Sequence, residues 1–229
     1  MTGDQPKTAE LDWRDTGAPV SKQFDDPYFS ILDGLAETRH VFHAGNSLPN
    51  RFQPGFHVGE LGFGTGLNML ATWRLWKDSG QKTSLKFTSF EAYPMAASDI
   101  DKALSAFPEL ADLAQGFLSH WAKGETRFSL DLLDVAIVLG DARETLTERP
   151  DRMDAWFLDG FSPAKNPELW EPALMAQVAA HTAPGGTFAT YTAAGHIRRS
   201  LSEVGFKVDR VPGFGRKRHM TTGTLIEAT

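Results

Sequence analysis

Two hydrophobic periods alternate along most of the chain. From Phe56 onward, short apolar runs (FHVGEL, LKFTSFEA, DVAIVLGD, MDAWFLDG, GGTFATYT) read as buried strands. Between them lie stretches with helical spacing: LNMLATWRLWKD, a segment from about Pro94, a short piece after Asp141, NPELWEPALMAQVAAH and AGHIRRSLSEVG. Strands alternating with helices require crossover connections, so the pattern predicts a mostly parallel α/β sheet covered by helices on both faces. The last two strand-like runs, FKVDRV and one near TTGTLIEA, are separated only by PGFGRKRHM, too short for a crossover. They predict an antiparallel hairpin at one edge of a seven-stranded Rossmann-like sheet. Residues 1–54 mix turn residues with scattered aromatics (Trp13, Phe24, Tyr28, Phe29, Phe42) and show weak periodicity. They read as an N-terminal extension packing on or covering the site of a domain that spans 55–229.

Composition narrows the chemistry. The 229 residues are 41% hydrophobic and 23% charged, the balance of an ordinary globular protein. No segment has the length and apolarity of a membrane span, and the start MTGDQPKTAELDWRD has neither the basic beginning nor the apolar run of a signal peptide. A cytoplasmic protein is expected. With no cysteine, thiolate nucleophiles, Cys-ligated zinc and iron–sulfur clusters are excluded. His40 and His43 lack a convincing set of metal partners, and no metal is assigned. The net charge of −6 argues against a general nucleic-acid binder, but it hides an asymmetry. Residues 1–50 carry net −4, whereas residues 196–219 carry net +5.

In open parallel sheets ligands bind outside the carboxyl ends of the strands. The polar residues at those ends are Glu60, Glu91, Asp141 and Asp159, each directly after an apolar run. Glu60 opens the sequence Glu60-Leu-Gly62-Phe63-Gly64-Thr65-Gly66-Leu-Asn68, a glycine loop between strand and helix that lets a ligand approach the backbone. A dinucleotide fingerprint would need Gly or Ala at 67 or 69, where Leu67 and Met69 stand, and a phosphate P-loop would need a lysine that is absent. An acidic residue before the glycines disfavours pyrophosphate and favours a cationic ligand. S-adenosylmethionine, with a sulfonium and an ammonium and no phosphate, fits that profile better. Glu91 is placed to accept ribose hydroxyls. Asp141 sits either where an adenine amino group is expected or at the N-cap of the helix that follows.

The segment Trp156-Phe-Leu-Asp159-Gly-Phe161-Ser-Pro163-Ala-Lys165-Asn166-Pro167 runs an apolar strand into a rigid turn beside the expected methyl. A fixed carboxylate there can orient an amine and stabilise the positive charge that develops on it, and Asp159 is chosen for that role. Lys165 meets a phosphate or is simply solvated. A basic cluster (Arg198 and Arg199 on a helix; Arg216, Lys217, Arg218 and His219 in the hairpin loop) is either solvated surface or, in a loop able to reach across the rim, a contact for RNA phosphates, with Phe214 available to stack on a base.

Five strings in this order, PVSKQFDDPYFS, ETRHVFHAGN, ELGFGTGLN, DAWFLDGFSPAKNPELW and GFGRKRHM, resemble the methyltransferase domain of the bacterial MnmC family of bifunctional tRNA-modification enzymes, from about Asp12 to near the C-terminus. The resemblance implies a class I S-adenosylmethionine-dependent fold that N-methylates 5-aminomethyl-2-thiouridine at the tRNA wobble position, giving 5-methylaminomethyl-2-thiouridine. It implies that Glu60, Gly62, Gly64, Gly66 and Glu91 hold the cofactor and that Asp159 faces the amine. Phe63, Thr65, Asn68 and Asp141 join the expected cofactor residues; Phe161, Lys165, Arg198, Arg216, Lys217 and Arg218 are the expected substrate residues. Full-length members carry a second, FAD-dependent domain. No second dinucleotide motif follows here, so either the protein stands alone, with a separate FAD-dependent oxidase or upstream tRNA-modifying enzymes as partners, or the chain is a fragment of a two-domain enzyme. The readings kept beside this one are methylation of a small-molecule or protein amine, a nucleotide-binding oxidoreductase, and a non-catalytic RNA-binding module.

Overall fold

The computed structural model describes residues 7–14, 17–30 and 33–226. Along the chain, β1 (Leu11–Trp13), β2 (Pro19–Ser21) and β3 (Asp26–Pro27) form a small antiparallel ribbon. The main sheet comprises β4 (His57–Leu61), β5 (Leu85–Glu91), β6 (Arg127–Leu130), β7 (Leu133–Leu139), β8 (Met153–Leu158), β9 (Thr182–Thr190), β10 (Phe206–Pro212) and β11 (His219–Leu225). Its order is β10-β11-β9-β8-β4-β5-β7-β6. The five inner strands from β9 to β7 are parallel; β11, β10 and β6 are antiparallel to their inner neighbours. Chain order runs outward from β4 through β5 on one side and outward from β8 through β9 on the other. The topological switch, where a ligand crevice is expected, therefore falls between β4 and β8. This is the class I methyltransferase arrangement. Of the last apolar run, residues 227 and 228 lie outside the described residues.

The helices are α1 (Gly34–Thr38), α2 (Leu67–Asp78), α3 (Ala97–Leu104), α4 (Ala111–Trp121), α5 (Ala142–Thr145), α6 (Pro172–Ala180) and α7 (Gly195–Glu203). Alternation along the strands splits the core into two layers. Ala155 and Phe157 of β8 face the layer closed by α2, α3 and α4, while Trp156 and Leu158 face the layer closed by α5, α6 and α7. All four are fully buried. No helix among the described residues is long and apolar enough to cross a membrane.

Two features differ from the sequence expectation. The sheet has eight strands, not seven, because β6 and β7 form a hairpin at the edge opposite β10. Its two-residue turn is Asp131-Leu132, with Leu132 in the left-handed region at φ 59°. Glycine or asparagine would have announced such a turn; here tertiary contacts hold it, Trp73 Nε1 donating to the Asp131 carbonyl and Leu85 N to that of Leu132. Second, the expected single helix NPELWEPALMAQVAAH breaks at Glu171, which is extended (ψ 143°) because Pro172 follows it. A 3₁₀ turn over Pro167–Trp170 precedes α6.

The segment from α1 to residue 52 is part of the core. Leu35, Val41, Phe42 and Leu48 belong to the same buried cluster as Val58, Phe87 and Phe157. Buried Asn46 donates from Nδ2 to the carbonyls of Phe42 (2.9 Å) and Trp156 (3.3 Å) and accepts from Thr187 Oγ1 (2.6 Å). A boundary drawn at 54/55 therefore passes through one packed layer. The periodicity was weak because the chain there winds as a π turn (Arg39–His43) and a 3₁₀ turn (Ala44–Asn46), whose repeats are not 3.6 residues.

Candidate functional site

A cavity of about 490 Å³ opens at the carboxyl ends of β4, β5, β7, β8 and β9, within the range of small-molecule sites. Its floor is the Gly62–Thr65 loop. Its roof is the ribbon and the residues after it: Phe24 stacks on Phe161 at 4.7 Å between ring centroids, and Tyr28 meets the same ring edge-on at 5.0 Å. Asp26 Oδ2 accepts from Ser162 N (2.8 Å), so the roof is fastened to the turn that follows β8.

The glycine loop and that turn fit together at the backbone. Gly62 sits at φ 87°, and a Cβ there would lie 2.3 Å from the carbonyl oxygen of Asp159. A side chain would therefore push the two apart. Gly62, Phe63, Gly64 and Thr65 line the cavity. Gly66 instead precedes the first residue of α2, packed against Phe63 and Phe117.

Glu60 lies beneath the floor. It is fully buried and does not line the cavity, contrary to the expectation of a direct ligand contact. Burial pushes its carboxyl well above the ordinary range, against the hydrogen bonds from Ser89 Oγ (2.6 Å) and Asn68 Nδ2 (3.0 Å). Asn68 is the link. Its amide nitrogen also donates to Asp159 Oδ2 (2.7 Å), and its oxygen accepts from Thr38 Oγ1 (2.7 Å). One amide thus ties the ends of β4 and β8 to α1, its two N–H groups serving one carboxyl each. Asp159, part-buried in the cavity wall, is raised to about 7, chiefly by desolvation, with the Asn68 hydrogen bond opposing and the Glu37 charge adding.

Glu91 lines the cavity at the end of β5. Its Oε2 accepts from Gly64 N and its Oε1 from Tyr93 N, both at 2.8 Å. Burial raises its carboxyl above the ordinary range, opposed by these backbone contacts. Asp141 lines the cavity and also caps α5: it accepts from Arg143 N, and the Arg143 guanidinium holds its carboxyl below the usual range. The capping alternative is thus present in the structure, and the charge of Asp141 is already paired.

The expected substrate residues separate. Phe161 is in the cavity, clamped by Phe24 and Tyr28. Lys165 is not; its ammonium meets the carbonyl and carboxylate of Asp25 and lies 3.8 Å from Asp26, fastening the ribbon. Lys217 reaches the cavity from the β10–β11 loop, with Nζ 2.9 Å from Glu37 Oε1 and 4.0 Å from the centre of the Tyr191 ring. Arg216 and Arg218 are exposed outside it, and Arg198 lies on α7, outside the lining. Three wall residues had no place in the sequence reading. Tyr191, whose hydroxyl donates to Gly160 O (2.7 Å), directly follows β9 and was findable as a strand-end polar residue. Glu37 begins the string ETRHVFHAGN without having been given a role, and Arg143 sits on a short helix with no motif around it. His40 and His43 are used structurally, against Pro212 O and Thr72 Oγ1 respectively.

A family described as S-adenosyl-L-methionine-dependent methyltransferase matches residues 108–226, just over half the chain. The chain belongs to that family. This methyltransferase is 45% identical over 96% of its length to the tRNA 5-methylaminomethyl-2-thiouridine biosynthesis bifunctional protein MnmC of Stutzerimonas stutzeri, and 45% identical over 94% to that of Pseudomonas aeruginosa. It spans 35% of the length of each. Among solved structures it is similar to MNMC2 from Aquifex aeolicus, with a TM-score of 0.78 and 24% identity over 98% of this chain and 72% of that one. It is also similar to spermidine synthase from Thermotoga maritima, with a TM-score of 0.55 and 13% identity over 98% of this chain and 72% of that one. Both likenesses are of fold.

The cavity suits the donor that gives the family its name. No lysine or arginine stands on the Gly62–Thr65 floor, and Glu91 and Asp159 present carboxyl groups in the wall, a surface that disfavours phosphate and favours a cation. Gly64, at φ 55°, leaves space that a Cβ would take against Tyr28 at 3.1 Å.

Proposed function

We propose that this methyltransferase N-methylates the aminomethyl group of 5-aminomethyl-2-thiouridine in tRNA, giving 5-methylaminomethyl-2-thiouridine. The observation that carries this reading is the 45% identity, over nearly the whole chain, to proteins named for the biosynthesis of that product. A methyltransferase contributes to such a product its N-methyl group, so the acceptor is the primary amine. The wall supports the reading chemically, since a primary amine is itself a nucleophile and needs neither a cysteine nor a metal.

When bound, S-adenosylmethionine supplies a methyl group on a positively charged sulfur, displaced as a neutral thioether. Glu91, at the end of β5 in the cavity wall, would hold the ribose hydroxyls, and the Gly62–Thr65 backbone would allow close approach. The acceptor has a different requirement. An alkylamine with an ordinary value near 10 arrives mostly as ammonium and must lose a proton to expose its lone pair. Asp159, held near 7, is matched to that exchange at neutral pH. Its second task is geometric: Asn68 fixes its Oδ2 and leaves Oδ1 to orient the amine in line. Phe161, wedged between two roof aromatics, offers a face against which a pyrimidine can stack. Arg216, Arg218 and, further along α7, Arg198 would meet phosphates of the RNA.

The test is direct. The protein is incubated with S-adenosylmethionine and tRNA carrying 5-aminomethyl-2-thiouridine, and the nucleosides are then weighed after digestion. Conversion to the methylated nucleoside is expected. Conversion of free amines but not of this tRNA would favour a small-molecule methyltransferase and overturn the reading.

A further inference from the structure

Lys217 is a cation seated in a cation site. Its ammonium is bonded to Glu37 Oε1 at 2.9 Å and lies over the Tyr191 ring at 4.0 Å, and its charge is felt by Asp159. All four residues line the cavity. They come from different parts of the chain: α1, the end of β9, the turn after β8 and the β10–β11 loop. A carboxylate on one side and an aromatic face on another is an arrangement that recognises an alkylammonium. Tyr191 is fixed in place by its bond to Gly160 O, and Glu37 is largely enclosed, with 15% of its side chain exposed. The lysine that fills the site comes from an exposed loop that also carries Arg216 and Arg218.

We infer that Glu37 and the Tyr191 face form the subsite that recognises the substrate's ammonium group, and that Lys217 fills this subsite as an internal stand-in until a polyanion draws it away. The inference rests on the proposed function and adds to it the residues that choose the acceptor. Before transfer the substrate ammonium would sit between Glu37 and the Tyr191 ring, next to Asp159. When RNA phosphates approach the basic loop, Lys217 exchanges the carboxylate of Glu37 for a phosphate and vacates the subsite. A free amine brings no phosphate and must compete with a tethered lysine. The device therefore favours an amine attached to RNA over a loose one without reading any base.

The experiment uses two substrates, the modified tRNA and the free nucleoside 5-aminomethyl-2-thiouridine, the latter read as a substrate or as an inhibitor of tRNA methylation. Glu37→Gln should weaken nucleoside binding by roughly tenfold to a hundredfold, the worth of a hydrogen bond to a charged group, while S-adenosylmethionine binding and melting temperature stay near wild type. Lys217→Ala should act in opposite directions: the nucleoside binds several-fold more tightly because its competitor is gone, and tRNA gains nothing or loses affinity because a phosphate contact is gone. If Lys217→Ala leaves nucleoside binding unchanged or weaker, or if Glu37→Gln alters only cofactor binding or stability, the inference is overturned. Absence of tRNA methylation by the unaltered protein would instead sink the functional reading itself, so the two failures are distinguishable.

Discussion

Asp159→Asn should stabilise the ligand-free protein at alkaline pH while removing most of its activity. The carboxyl stands at about 7 in the folded protein against 3.8 for the free side chain, because the cavity wall strips water from its charged form. In the unfolded chain the group ionises freely. Between these two values the folded state holds a proton that the unfolded state has released, so its contribution to stability falls as pH rises and is fully lost above about 7. At 1.36 kcal/mol per pH unit the whole interval amounts to about 4 kcal/mol. Comparing pH 5 with pH 8 samples about 2 kcal/mol of it, after allowing for screening of a part-exposed group. For a protein of this length that is a relative shift of about 4–8 °C. Asparagine keeps an oxygen for the Asn68 amide and has no proton to release, so the melting temperature of the variant minus that of the wild type should grow by this amount from pH 5 to pH 8 at fixed ionic strength. Taking the difference cancels the buried histidines, which titrate in both proteins. Turnover on tRNA should fall by about a hundredfold or more, as expected for loss of a positioned proton acceptor. A melting difference independent of pH would mean that Asp159 is solvated and ionised throughout, and the reasoning about its proton would fail.

Replacing Arg216 and Arg218 together by Ala should weaken tRNA binding and reduce the slope of log affinity against log salt by about two, with S-adenosylmethionine affinity unchanged; an unaltered slope would return the loop to plain solvated surface. Glu91→Ala should raise the dissociation constant of S-adenosylmethionine by at least about tenfold and also destabilise the apo protein, since Gly64 N and Tyr93 N lose their acceptor; calorimetry and a thermal scan read the two effects separately, and wild-type cofactor affinity would remove Glu91 from the site. Asn46→Ala should cost about 1–3 kcal/mol in urea unfolding, because it strips partners from groups buried between the Phe42 turn and β8. A change of a few tenths would show that the α1-to-52 segment is not integral to the core.

The parallel part of the sheet was legible because its strands are short, mostly apolar runs with a carboxylate at or just past their ends, so Glu60, Glu91, Asp141 and Asp159 were found together. Which of them face the ligand was not legible. Glu60 and Asp159 end equivalent strands, yet one is enclosed under α2 and the other opens into the cavity, a distinction made by the Asn68 bridge and the packing of α1. Lys165 read as phosphate-facing or solvated and Lys217 as one of a basic cluster, and only the fold sends the first to the ribbon and the second to Glu37. The β6–β7 hairpin escaped because a leucine occupies its left-handed position. Tyr191 escaped although it directly follows a strand, and Glu37 although it opens the string ETRHVFHAGN, because neither position states what its side chain meets; their meaning comes from the cation they enclose.

The carbonyl of Asp159 resting against the bare α-carbon of Gly62 joins the floor for the donor to the arm for the acceptor as one mechanical part. Tightening the grip on one reactant re-aims the other, so selection cannot tune them separately. Variation in what this scaffold methylates must then come from the loop carrying Lys217, the wall that can change shape without disturbing that joint.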